Sequence, residues 1–243
     1  NPFSVQEIAD SLKGVDIPVF IKNPINPDVN LWLGAVERIQ NAGIKDISLI
    51  HRGFSTYGKS AYRNEPMWEI AIEMMRQFPE LNMICDPSHI GGSTELLQPI
   101  SQKAMDLDMD GLMIESHINP AVALSDSKQQ IEPQALLNLL NSLSYKEQFS
   151  DNKSFSSELE FLRSNIDEID AELIQLLAKR MEVVDKIGSF KKENNVTVLQ
   201  VDRWKEILTN RTKLAELNTV DKTLVQEMFK LIHKASIEQQ SKV

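Results

Sequence analysis

The sequence predicts two fold classes in succession: an α/β half that forms part of a (β/α) barrel, then an all-α half of three helices. Three observations carry this. Short apolar runs recur about every thirty residues in the first half, with helical stretches between them, as parallel strands do in βα units. All ten prolines lie between Pro2 and Pro133, and of nine glycines only Gly188 falls after Gly111, so turn residues punctuate the first half and nearly vanish from the second. From Leu159 to Phe190 apolar residues recur at threes and fours, the mark of a long helix.

In chain order the apolar runs are Pro18-Val19-Phe20-Ile21, Ile47-Ser48-Leu49-Ile50, Leu81-Asn82-Met83-Ile84-Cys85 and Gly111-Leu112-Met113-Ile114. They run into Lys22, His51, Asp86 and Glu115, which are separated by 29, 35 and 29 residues. Four βα units fill about 140 residues, whereas a closed eight-stranded barrel takes about 250. The segment is thus half a barrel's worth of chain, and four parallel strands alone would leave two sheet edges unpaired. The chain opens on Asn1-Pro2-Phe3 without a Met and reads as the C-terminal part of something longer. Ser144 to Ser157 is polar and rich in Ser, Lys and Asp, and reads as a linker between a domain over 1–143 and another over 158–243.

Beyond the linker, Leu159, Leu162, Ile166, Ile169, Leu173, Leu176, Met181, Val184, Ile187 and Phe190 predict one helix. It would have roughly 35 residues and span about 50 Å. Such a helix is too long for an ordinary globular domain and is expected to pair with a second copy. Shorter helices follow at about Val201–Leu217 and about Val220–Gln240, broken by Asn218-Thr219.

A net charge of −9 argues against a nucleic-acid partner. The lone Cys85 excludes an internal disulfide and fits a reducing compartment. No apolar stretch nears the roughly eighteen residues that would suggest a membrane span, and no signal-peptide pattern appears. The expectation is a soluble, cytoplasmic protein with no membrane partner.

Chemistry-bearing residues gather at the C-terminal strand ends, where a (β/α) barrel builds its active site. His89, Glu115 and Asp126 are N and O donors suited to Mn²⁺, Fe²⁺ or Zn²⁺. Each could instead be a hydrogen-bonded strand-end residue, but three at successive ends point to a site. Lys22 and Arg52 suit a phosphate and a carboxylate. Cys85 precedes Asp86 in its strand, so its thiol faces the other side and is read as structural. In the second half, Arg180 and Lys191 are eleven residues apart and share a helix face. Arg163 lies seventeen residues before Arg180, roughly 25 Å along the axis, so one small dianion meets both only if a second, antiparallel copy supplies Arg163.

Lys22-Asn23-Pro24, His51-Arg52-Gly53-Phe54, Asp86-Pro87-Ser88-His89, Glu115-Ser116-His117 and Ala123-Leu124-Ser125-Asp126 stand in an order that resembles the second half of short-barrel 3-deoxy-D-arabino-heptulosonate 7-phosphate synthases. The resemblance covers about 1–140 and implies the C-terminal half of a (β/α)8 TIM barrel. It implies Lys22 and Arg52 as phosphoenolpyruvate contacts, and His89, Glu115 and Asp126 as ligands of a divalent metal (Mn, Fe or Zn). The reaction it implies joins phosphoenolpyruvate to erythrose 4-phosphate. A cysteine ligand on the first strand, a Lys-Pro-Arg-Thr-type segment and a further arginine belong to the family pattern and are not in this sequence, so the synthase site is expected to be incomplete. The related 3-deoxy-D-manno-octulosonate 8-phosphate synthases are the alternative for this half.

Over about 155–243 the residues Leu162-Arg163-Ser164-Asn165-Ile166-Asp167, Leu177-Ala178-Lys179-Arg180, Ile187-Gly188-Ser189-Phe190-Lys191, Asp202-Arg203, Ser236 and Gln239-Gln240 resemble the all-helical chorismate mutases. That family forms intertwined dimers of three-helix chains and needs no cofactor. The resemblance implies that Arg180 and a partner chain's Arg163 bind the two carboxylates of chorismate. Lys191 and Gln240 would meet the ether oxygen, with Arg203 and Ser236 as further contacts. Gln200 stands where an Asp is common, and Trp204 where a Glu often contacts the substrate hydroxyl. The competing function is a non-catalytic, prephenate-sensing dimerisation module.

Overall fold

The computed structural model describes residues 2–58, 60–147 and 149–242. The chain divides into two compact units, Asn1–Phe149 and Ser150–Val243, and the division falls inside the segment read as a linker.

The first unit begins with α1 (Pro2–Ser11), followed by β1 (Val19–Lys22), α2 (Val29–Asn41) and β2 (Ile47–His51). Next come α3 (Trp68–Gln77), β3 (Asn82–Cys85), α4 (Pro87–Gly91), α5 (Leu97–Asp106), β4 (Gly111–Leu112) and α6 (Pro133–Ser142). The strands form one parallel sheet in the order β1-β2-β3-β4. Sequential order and helical crossovers are what repeated βα units produce. β2 is buried along its whole length, as a central parallel strand covered on both faces must be. Along β1, Ile21 is buried while Phe20 and Lys22 on the opposite face are exposed, the period-two alternation of a strand covered on one side. Trp32, Val36 and Ile39 of α2, Ala71 and Met74 of α3, and Met83 and Cys85 of β3 form the core against the helices.

β4 is shorter than the apolar run Gly111–Ile114. Its pairing with β3 extends through Asp110 N–H to the Met83 carbonyl at 2.9 Å and Met113 N–H to the Cys85 carbonyl at 2.7 Å. Past Cys85 the partner is gone, because Asp86-Pro87 opens α4. Asp86 Oδ1 accepts from the His89 N–H at 3.1 Å, capping that helix, and Pro87 takes its first position. Glu115 N–H therefore turns to Ser88 Oγ at 2.9 Å.

Among its described residues the second unit has three helices, α7 (Lys153–Glu193), α8 (Val201–Leu217) and α9 (Lys222–Gln240). α7 begins within the segment read as linker because Asn152 Oδ1 accepts from the N–H groups of Ser154 and Phe155, at 3.1 and 3.2 Å. Asp221 caps α9 in the same way, accepting from Leu224 N–H at 2.8 Å. The α7–α9 contacts Arg180–Ser236, Asp185–Gln239 and Gly188–Gln240 advance together along both helices, so the two run in the same direction. Of its 41 residues α7 buries only Val184 and Gly188.

Candidate functional sites

In the first unit the strand ends are tied together by polar contacts. Asn23, after β1, is buried; its amide donates to the Gly53 carbonyl at 2.8 Å, and its Oδ1 accepts from the Arg52 N–H at 2.6 Å. This brace fixes the backbone of Arg52 beside Lys22. The turn that follows needs Gly53, with φ +74°, where a Cβ would lie 2.7 Å from the Asn64 carbonyl oxygen. Arg52 Nε is buried with no hydrogen-bond partner. A shielded guanidinium donor of that kind suits an anionic ligand.

Asp86 is the hub. Its buried carboxylate places Oδ2 3.4 Å from Lys22 Nζ and 2.8 Å from His89 Nδ1. The His89 approach is short but out of line for a hydrogen bond. His89 Nε2 in turn lies 3.6 Å from Glu115 Oε1. Two donors on one first-row ion are about 3–3.5 Å apart, so this pair stands slightly wider than two positions of a metal site. Asp86 lies on the side of the far ring nitrogen, where a carboxylate supports such a histidine once the two are in line.

Asp126 does not join them. Its Oδ1 accepts from Arg63 Nη1 at 2.9 Å. Arg63 also donates to Gln129 Oε1 at 2.7 Å, and the Gln129 amide donates to Glu115 Oε1 at 3.0 Å. Among the described residues no group of three His, Cys, Asp or Glu converges as a metal site. Cys85 is no ligand here: burial, reinforced by the neighbouring Asp86 charge, pushes its thiol far up, away from the thiolate. Asp86, a strand end in the sequence but not a ligand candidate, joins this polar group with Arg63 and Gln129, neither of which lies in a strand-end motif.

The second unit contains a cavity of about 390 Å³ between its three helices. Five of the six residues singled out for this half line it: Arg180 and Lys191 from α7, Arg203 from α8, and Ser236 and Gln240 from α9. Arg180 Nη1 donates to Ser236 Oγ at 2.7 Å. Lys191 Nζ donates to the Val198 carbonyl at 2.5 Å. Gln240 approaches α7 at Gly188, and its Oε1 is buried without a partner. Arg203 is largely exposed and pairs with Glu206 at 2.6 Å. Arg163 does not line the cavity; it is exposed and pairs with Glu160 at 2.9 Å.

Four further residues shape the cavity. Arg211 adds a cation, held over the Phe229 ring at 5.6 Å from its centroid. Burial, then the Arg211 charge, lowers the Arg180 guanidinium from its ordinary value. Trp204 and His233 stack on each other in the same wall. With four cations and no carboxylate among the described lining residues, the cavity suits a small compound with more than one negative charge.

Comparison with known proteins separates along the same division. The family model described as DAHP synthetase I family matches residues 4–149, and that described as chorismate mutase type II matches residues 162–241. A phospho-2-dehydro-3-deoxyheptonate aldolase of Thermotoga maritima is 32% identical over 115 residues, which are 47% of this chain and 33% of that protein. A bifunctional chorismate mutase/prephenate dehydratase of Buchnera aphidicola is 33% identical over 87 residues, 36% of this chain and 23% of the relative. The solved structure of a truncated 3-deoxy-D-arabino-heptulosonate 7-phosphate synthase from Thermotoga maritima aligns with a TM-score of 0.53 and 28% identity, covering 58% of this chain and 54% of that one. The chain thus spans a third or less of the length of these two curated relatives.

Proposed function

The chain belongs to the DAHP synthetase I family through residues 4–149, and we propose that it pairs a phosphoenolpyruvate-binding half-barrel with a helical domain that converts chorismate to prephenate. One observation carries the helical reading: Arg180, Lys191, Arg203 and Arg211 share a cavity with the unpartnered Oε1 of Gln240. The rearrangement of chorismate is pericyclic and needs neither nucleophile nor cofactor. Holding the chair-like conformer and setting cations where the breaking C–O bond gains negative charge are sufficient sources of rate. Arg180, braced by Ser236, holds one carboxylate. Lys191 exchanges the Val198 carbonyl for the ether oxygen, which Gln240 meets through its amide N–H group. Arg203 is a further contact.

The second carboxylate falls to Arg163 of a second copy. In support, Leu162, Ile166, Ile169, Leu173 and Leu176 of α7 are all exposed. Such an apolar stripe on a helix of about 60 Å is covered when two copies lay their α7 helices together.

In the half-barrel, Lys22 and Arg52 hold the phosphate and carboxylate of phosphoenolpyruvate. His89 and Glu115 would hold a divalent ion (Mn, Fe or Zn), joined by Asp126 once it leaves Arg63; when bound, the ion polarises the aldehyde oxygen of erythrose 4-phosphate. Asp86 keeps His89 in register for this. Condensation of the two substrates is the reaction this half serves when the barrel is complete.

The deciding experiment is chorismate depletion with prephenate formation by the 243-residue chain, compared with Arg180→Ala. A lost charge-assisted contact to a carboxylate predicts a fall of roughly 10²-fold or more in kcat/KM, with helical content unchanged by circular dichroism. Near-wild-type turnover in the variant rejects the assignment.

A further inference from the structure

Trp204 and His233 stand face to face, with ring centroids 3.9 Å apart and planes 6° from parallel. Trp204 comes from the first turn of α8; His233 lies three residues before Ser236 on α9 and so shares its face. A stack this close fixes the plane of the imidazole and leaves its nitrogen-bearing edge to make directional contacts. His233 Nε2 is shielded from solvent and completes no hydrogen bond within the chain. Buried polar atoms without partners are rare in folded proteins, and among the described lining residues there are two, His233 Nε2 and Gln240 Oε1.

Ser236, Lys191 and Arg203 each have a partner, and the other neutral polar residue of the lining, Gln200, is exposed where His233 Nε2 is shielded. Ser236 Oγ accepts from Arg180 and donates to the Ile232 carbonyl at 2.6 Å. Lys191 donates to the Val198 carbonyl and Arg203 pairs with Glu206, and no Asp or Glu is among the described lining residues to receive a hydroxyl proton. Burial, then the charges of Arg180 and Lys191, lowers His233 from its ordinary value. Both effects favour the neutral ring, which has one N–H and one lone pair and can donate to or accept from a hydroxyl.

We propose that His233, clamped flat by Trp204, recognises the ring hydroxyl of the cyclic dicarboxylate, which makes the Trp204–His233 stack the specificity element of this cavity. This rests on the chorismate reading above. It assigns to an aromatic pair a contact for which the residue at position 204 has no carboxylate.

The test uses the full 243-residue chain with chorismate and with its 4-deshydroxy analogue. Both kcat/KM and binding by calorimetry are measured for wild type, His233→Leu, His233→Gln and Trp204→Ala. Loss of one hydrogen bond to a neutral hydroxyl predicts about a 10-fold fall for chorismate in His233→Leu, and less than about 2-fold for the analogue. His233→Gln should recover part of the loss, and Trp204→Ala should lose discrimination as His233→Leu does. Equal losses with both compounds, or no loss with either, overturn the proposal by showing a structural role or none. Binding separates this idea from the mutase assignment. Wild-type protein that turns over neither compound, but prefers chorismate in binding through His233, removes the mutase reading and keeps this one. Wild-type protein that binds neither removes both.

Discussion

Gly188 of α7 and Gln240 of α9 meet backbone to backbone: a Cβ on Gly188 would lie 3.2 Å from Gln240 Cα. Any larger residue at 188 pushes away the part of α9 that carries Gln240. In Gly188→Ala the helix gains about 1 kcal/mol of propensity, while the crowded contact costs about 1–3 kcal/mol. Stability should therefore shift little, by about 1 kcal/mol downward. The proposed mutase activity should fall roughly 10-fold or more, because a displacement of a few tenths of an ångström at Gln240 would misplace the ether-oxygen contact proposed for it. Thermal melts and kcat/KM on the same preparation check this; a variant with wild-type kinetics would show that Gln240 position is not critical.

If Arg163 and Arg180 act across a dimer, each variant alone is inactive and their mixture is not. Arg163→Ala and Arg180→Ala chains, mixed and allowed to exchange, form heterodimers in which one site carries both substitutions and the other carries none. Activity should recover to about a quarter of wild type at full exchange, by two-fold symmetry. Assays before and after incubation read this directly. No recovery despite proven exchange places both residues in the same chain's site.

The Arg63–Asp126 pair holds a metal-ligand candidate away from His89 and Glu115. Arg63→Met removes that competitor, so Mn²⁺ should bind this chain more tightly, by a few-fold given the modest worth of a partly exposed ion pair. His89→Ala should abolish binding. Calorimetry of Mn²⁺ with the three proteins checks both. Weaker binding in Arg63→Met would mean that Arg63 organises Asp126 for the metal.

What was legible in the sequence follows from range of interaction. The four strand positions emerged because burial between helices demands apolar runs, and α8 matches its expected bounds because Asn218 and Thr219 interrupt a simple period. The early start of α7 was written in Asn152, a side-chain cap in a segment whose polarity reads as linker. The shortness of β4 was not legible, since it is set by its partner ending at Asp86-Pro87. Motif order brought together Arg180, Lys191, Ser236 and Gln240. It did not reveal that Asp126 turns to Arg63, or that His233 meets Trp204, because these are contacts between residues 63 and 29 positions apart whose side chains carry no period.

His51 gives the first unit a built-in acid weakness. It is fully buried at the end of β2, ringed by Trp32, Phe54 and Trp68 at centroid distances of 6.5, 5.8 and 5.2 Å. Burial lowers its imidazole from 6.5 to about 4, against the smaller opposing pulls of the Pro66 backbone and the Asp86 charge. Between those two values the unfolded chain binds a proton that the folded one refuses, so acidification favours unfolding. The contribution is fully present above about pH 6.5, falls as pH drops toward 4 by up to about 3 kcal/mol, and changes no further below that. His51→Phe and His51→Leu remove the titration while keeping an apolar core. Urea midpoints read by tryptophan emission, to which Trp32 and Trp68 contribute, should fall between pH 7 and pH 5 for the wild type. The fall should be distinctly smaller in both variants. An equal pH dependence in all three proteins would mean that other groups set the acid limb and that His51 is protonated at no cost to the fold.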